Sequence, residues 1–175
     1  MDIQPTHLQD ANVTLVPLQE TDFERLYQVA SDPLIWEQHP SKTRYQREVF
    51  ANYFKGAIES KGAFLVLDTQ SGEPIGSSRF YDYDATQATI LIGYTFLARS
   101  HWGSTYNRSL KTLMINHAFT FADHVVFHIG AQNIRSQKAI EKLGGVKMGE
   151  LDLAYYGEVA NPNFAYRISK ADWRL

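Results

Sequence analysis

Three observations predict an α/β (α+β) fold. Strand-like runs alternate with amphipathic helical runs in the order β-α-α-β-β-β-α-β-α-β-β. A Ser71-Gly72 turn between two short apolar runs predicts an antiparallel hairpin. A helix apolar on most of its circumference lies between strand-like runs at 88–97 and 125–131. A strand, a buried helix and a further strand imply a right-handed crossover, so those two strands should run parallel. The 175 residues suffice for a sizeable core, and one domain over 1–175 is expected.

Each element has a local reason. Val13 to Leu18 reads as a strand ended by Pro17, and Thr21 to Glu24 has the form of a capping box with Thr21 as N-cap. Phe23, Leu26, Tyr27 and Ala30 share the face of a first helix, which Asp32-Pro33 ends. A loop of large side chains follows, with Trp36, Glu37, His39, Pro40 and Arg44. Val49, Phe50, Tyr53, Phe54, Ala57 and Ile58 form the stripe of a second helix, about 45–60. Runs at 63–67 and 75–81 make the hairpin. In 88–97, Ile90, Ile92, Tyr94 and Phe96 are expected on one face, and Gly93 suggests a bulge. The buried helix is expected over about 108–122, with one stripe from Leu110 to Phe121 and a second of Ile115, Phe119 and Ala122. Asn133 reads as the N-cap of a last helix that ends at Gly144-Gly145. Final strands are expected at 146–151 and 164–169.

Composition removes several classes of function. A 44% apolar and 21% charged chain is an ordinary globular one. The net charge of −2 gives no electrostatic case for nucleic acid or an anionic membrane surface. With no cysteine there is no disulfide, thiolate nucleophile or thiolate metal site, and no His-x-x-x-His cluster suggests a metal. Neither a signal peptide nor an apolar run of membrane-spanning length is read, so a cytoplasmic protein is expected.

The chemistry is expected around Arg99 to Arg108, a short polar turn with Gly103 placed just before the buried helix. Backbone N–H groups there lack intrahelical partners, and the helix dipole adds positive potential, which together suit a phosphate. Ligands of open α/β sheets bind outside the carboxyl ends of parallel strands. The crevice here would be lined by 94–106 and 131–136, with two helix N-termini facing it.

The element order and the run Ile92 to Asn107 resemble the GCN5-related N-acetyltransferases (GNAT), in particular the branch with bacterial ribosomal-protein N-terminal acetyltransferases. Asn133-x-x-Ser136, with Ala139 and Glu141 to Gly144 downstream, resembles that family's second cofactor motif. The resemblance covers about 12–174. It implies a mixed, mostly antiparallel central sheet with a splayed parallel pair and helices on both faces. It also implies acetyl-CoA as donor, a primary amine as acceptor and no metal. Of the family's pyrophosphate loop only Gly103 is kept; Ser100 and Thr105 stand at its other marked positions, and a β-branched Thr105 is expected to narrow the approach.

By that resemblance the cofactor would be bound by Phe96, Leu97, Ala98, Arg99, His101, Trp102, Gly103, Ser104, Thr105, Tyr106, Asn107, Asn133 and Ser136. Arg99 and Arg108 could add charge. The oxyanion donor would be a main-chain N–H around Phe96 or Leu97. Many members place a Tyr at the thiolate where this chain has Ile140, so Ser136 is the expected catalytic residue, with a helix dipole behind it. The branch's Glu falls at Leu91, leaving Glu73, Asp82, Asp84, His128, Asp152 and Glu158 as candidate bases, or water alone. Trp36, Glu37 and His39 would border the acceptor, faced by Tyr155, with Tyr156 and Glu158 beside it.

The expected function is transfer of an acetyl group to a primary amine, on a protein N-terminus or a small molecule, in a ternary complex. The alternative is a non-catalytic acyl-CoA-binding or regulatory module of the same fold. P-loop and dinucleotide fingerprints are missing. A homodimer is conceivable through an edge strand at 164–169.

Overall fold

A computed structural model describes residues 2–154 and 159–174, with the side chain of Ser104 left out. Its eight strands form one sheet in the order β1-β2-β3-β4-β5-β6-β8-β7. They are β1 (Leu8–Gln9), β2 (Val13–Pro17), β3 (Ala63–Asp68), β4 (Pro74–Asp84), β5 (Thr89–Leu97), β6 (His124–Gly130), β7 (Val146–Leu153) and β8 (Asn161–Ser169). The helices are α1 (Phe23–Ala30), α2 (Arg47–Ser60), α3 (Ser104–Ala118) and α4 (Ile134–Lys142). Every strand pair is antiparallel except β5 and β6, which are parallel. This is the mixed, mostly antiparallel sheet with one parallel pair that the sequence implied.

Alternation along the strands divides the core in two. Phe64 and Val66 face the layer of α3 and α4, with Leu110, Met114 and Ile140. Ala63 and Leu65 face the layer of α1 and α2, with Leu26, Phe50 and Phe54. Helices therefore cover both faces, as side chains of period two require.

Several boundaries differ from the sequence reading. Thr21 does not cap α1. The reciprocal cap is two residues earlier, where the Gln19 N–H donates to Asp22 Oδ2 at 2.8 Å ahead of a short 3₁₀ turn at Glu20–Asp22. The buried helix starts at Ser104 and ends at Ala118, four residues earlier at both ends than the apolar period suggested. Residues 104–107 are helical but contain no aliphatic residue, so no apolar period marks them.

The expected single face of β5 is broken. Ser77 pairs with Phe96 but Arg79 pairs with Gly93, so Tyr94 and Thr95 together oppose Ser78. This is a bulge, with Tyr94 at φ +53°. Ile90 and Ile92 stay with α3, whereas Tyr94 and Phe96 pack against the α1–α2 layer. The bulge follows the glycine that suggested one, and it moves half the strand to the other face.

The strand at 161–169 is not an edge. β8 lies between β6 and β7 and pairs with both, so edge pairing of two copies at 164–169 is ruled out. At the end of α4 the sequence reading holds: Asn133 is the N-cap, and Gly144 follows at φ +92°.

Leu110 is fully buried on α3. Leu110→Ala should cost about 2–5 kcal/mol of stability, read from the urea midpoint at unchanged slope.

Candidate active site

The parallel ladder between β5 and β6 stops at Leu91↔Val126. Beyond it the two strands separate, and a cavity of about 510 Å³ opens between them. The Ala98 N–H donates to Ile75 O on β4. Successive N–H groups of a strand point to opposite edges, so the Leu97 N–H faces the widening gap. The Leu97 carbonyl on that edge accepts the Trp102 Nε1–H at 2.9 Å.

Two helices begin at this cavity. Gly103 caps α3 at φ +120° with no side-chain cap, leaving the first N–H groups of the helix for a ligand. Asn133 caps α4, its Oδ1 accepting from the Ser136 N–H at 3.3 Å. Gln137 holds that start in place by donating to the carbonyls of Gly130 and Ala131.

The walls are strongly cationic. Arg108, Lys111, Arg135, Lys138 and Lys142 line the cavity, and no Asp or Glu is among the described residues that do. A chain of net charge −2 thus concentrates positive charge at one place. The Arg135 guanidinium stacks 3.8 Å from the centre of the Trp102 ring, joining the start of α4 to the loop before α3.

A sequence profile of the acetyltransferase (GNAT) domain matches residues 12–146. The chain belongs to the GNAT family. It is an acyltransferase of the N-acetyltransferase class. No curated protein sequence matches it. A crystal structure assigned as an acetyltransferase is 25% identical, with a TM-score of 0.80 over 97% of this chain and 89% of that one. Spermidine N-acetyltransferase from Vibrio cholerae, in complex with CoA and spermine, is 16% identical, with a TM-score of 0.70 over 93% and 98%. A protein assigned as a ribosomal-protein-serine acetyltransferase of the same organism is 14% identical, with a TM-score of 0.72 over 93% and 97%. The last two likenesses are ones of fold.

In this GNAT domain the expected site residues separate into two groups. Phe96, Leu97, Trp102, Gly103, Asn107, Asn133 and Ser136 line the cavity. Ala98, Arg99, His101, Thr105 and Tyr106 do not. Arg99 pairs with Asp32. Tyr106 Oη donates to Asp68 Oδ2 at 3.0 Å, and His101 Nε2 lies 3.4 Å from the same oxygen. Thr105 is exposed on the first turn of α3 and does not line the cavity. Ser104 contributes the first helical backbone position.

On the opposite wall, Trp36 is buried with its Nε1–H on Ala30 O at 2.8 Å, and His39 stands edge-on to it. Both line the cavity, whereas Glu37 is exposed and does not. Burial, then Arg44 and Arg135, holds the His39 pKa well below the ordinary value, so this ring is neutral. Tyr155, Tyr156 and Glu158 lie outside the described residues. Among the described residues, no cluster of His, Asp and Glu can hold a metal ion.

Two further cavity residues carry weight. His128, on β6, is half-buried; burial lowers its pKa while Asp82 pulls it up. Lys111, on α3, is almost completely buried, and Nζ donates to Thr95 Oγ1 at 2.5 Å. Burial alone brings its pKa down to about 7. Sequence reasoning passed over Lys111, although a signal existed. It continues the apolar stripe of Ile115, Phe119 and Ala122 back by one turn, where a charge is out of place.

The linkage has a definite sign. The Lys111 pKa is lowered on folding, so between about pH 7 and the ordinary value of 10.5 the unfolded chain binds a proton that the folded chain does not. Stability should rise with pH across that window relative to Lys111→Met. The difference reaches at most about 5 kcal/mol and is measured by urea unfolding of both proteins at pH 7 and pH 10.

Proposed function

We propose that this GNAT domain transfers the acetyl group of acetyl-CoA to a primary amine by direct transfer in a ternary complex. The observation that carries the reading is the cavity itself. Two helix N-termini and five cationic side chains surround it, and no carboxylate is among its described lining residues. Such a site suits a polyanion on an extended arm. The uncapped start of α3 and Arg108 would hold the pyrophosphate, and the open edge of β5 would pair with the pantetheine arm by strand addition. Bound acetyl-CoA supplies the electrophilic thioester carbon.

The chain's own groups meet the remaining needs. The Leu97 N–H faces the gap and would donate to the acetyl oxygen, where negative charge develops. Ser136 stands in the first turn of α4, where its hydroxyl and the dipole favour the sulfur. His128 is the base best placed to take a proton from the acceptor, because burial keeps it neutral near pH 7 and it opens on the cavity. Trp36, His39 and Tyr94 would wall the acceptor. The Vibrio cholerae neighbour solved with spermine supports an amine acceptor; for this chain the acceptor class is proposed no further than a primary amine on a small molecule or protein N-terminus.

Isothermal titration should show acetyl-CoA binding that Gly103→Asp weakens at least about 100-fold. That change adds a negative charge to the anion site and a side chain at φ +120°. An absence of binding in the wild type would overturn the reading. With an acceptor identified by mass spectrometry of acetylated amines, His128→Gln should lower kcat about 10²-fold. Unchanged kcat would leave proton removal to water.

A further inference from the structure

Resting on the acetyltransferase reading, the inference concerns why an amine is buried at Lys111. Its Nζ has one neutral acceptor, Thr95 Oγ1, and the Phe127 ring 5.4 Å away. No ion pair to it exists among the described residues, and burial is the sole cause of its lowered pKa. An apolar side chain would serve the packing better on a stripe shared with Ile115 and Ala122. A cation kept in such a place awaits an anion that the chain itself does not provide.

Position identifies that anion. Lys111 lies seven residues into α3 from Ser104, about 10 Å along the axis, and its Nζ is held at Thr95 on β5 rather than at the helix start. Its anchor, Thr95, is two residues before Leu97, whose N–H faces the acyl end of the cavity. Ile140, on the facing helix, is buried and apolar and offers sulfur no donor. The charge that develops at the acyl end, besides the oxyanion, is the thiolate.

We propose that Lys111 is a catalytic proton donor to the CoA sulfur, acting beside Ser136. As the carbon–nitrogen bond forms, the acceptor nitrogen gives up one proton to His128. As the carbon–sulfur bond breaks, its electron pair stays on sulfur, which takes a proton from Lys111 Nζ. The products are the acetylated amine and free thiol, with His128 protonated and Lys111 neutral. Exchange with solvent restores both. A donor that titrates near the working pH suits this task. The other described titratable groups lining the cavity are His39, Tyr94, His128, Arg108, Arg135, Lys138 and Lys142; none is a carboxylate, and burial raises the Tyr94 pKa and keeps its phenol neutral, so no resident anion competes for the ammonium.

The test needs no acceptor. CoA is bound to the purified protein, and its thiolate is followed by ultraviolet absorbance against pH. A free thiol ionises near pH 8.5, and an adjacent ammonium favours the thiolate. In the wild type the bound thiol should ionise at least one pH unit lower than in Lys111→Met. Lys111→Gln, which keeps a hydrogen bond to Thr95 without the charge, should behave as Lys111→Met does and is the variant to read if the methionine protein does not fold. Acetyl-CoA carries the same phosphates but no charge on sulfur, so its affinity at about pH 8.5 should fall less on Lys111 substitution than that of CoA, whose ionised sulfur lies nearest the cation. Equal thiol ionisation in wild type and both variants, with CoA bound to all, would overturn the role of Lys111. Failure of the wild type to bind either CoA or acetyl-CoA would instead remove the acetyltransferase reading beneath it.

Discussion

The early end of the β5–β6 ladder is the constraint on which the site depends. Parallel strands normally stay paired through their whole length, because unpaired N–H and C=O groups are costly to bury. Here pairing lasts for three residues, Thr89 to Leu91, and then lapses. The bulge at Tyr94–Thr95 sharpens the departure by bending β5 where it leaves β6. Main-chain donors are thereby left facing a cavity rather than a neighbouring strand. A ligand that brings its own amides can complete the ladder.

The same bulge sorts side chains. Before it, Ile90 and Ile92 serve the α3–α4 layer. After it, Phe96 closes the α1–α2 layer against Trp36 and Phe50, while Thr95 turns toward α3 and meets Lys111. Without the extra residue, Thr95 would point away from Lys111 and the buried amine would lose its acceptor. One irregularity thus re-sorts the faces of β5 and gives the buried amine its acceptor.

Much of this was legible in the sequence, and what was not has identifiable physical reasons. The crossover, the hairpin and the α4 cap are local or chiral matters, and Asn133, Gly144 and Ser71-Gly72 announce them. The position of β8 inside the sheet is a matter of which strands meet across long separations, and no periodicity carries it. Gly93 signalled a bulge but not its consequence, since alternation is read on the assumption of unbroken register. The start of α3 was misplaced because its first turn, Ser104 to Asn107, holds no aliphatic residue and so shows no apolar period, although Tyr106 packs at the rim of the core. Residues of the cofactor loop were legible as a group. Only the structure shows that His101 and Tyr106 turn to Asp68 while Trp102, Gly103 and Asn107 turn to the cavity.

Asp68 has a consequence of its own. One oxygen takes the N–H groups of Gln70 and Ser71 in the β3–β4 turn; the other takes the Tyr106 hydroxyl, with His101 beside it. The Ser71 amide first, then the Tyr106 hydroxyl and the Gln70 amide, hold its pKa down at about 2. The carboxylate therefore remains charged at any pH a cell tolerates, and it rivets the approach to α3 to the far end of a hairpin. Such a loop keeps its shape before a ligand arrives. The ordering entropy that a floppy phosphate cradle surrenders at each encounter is here surrendered once, during folding.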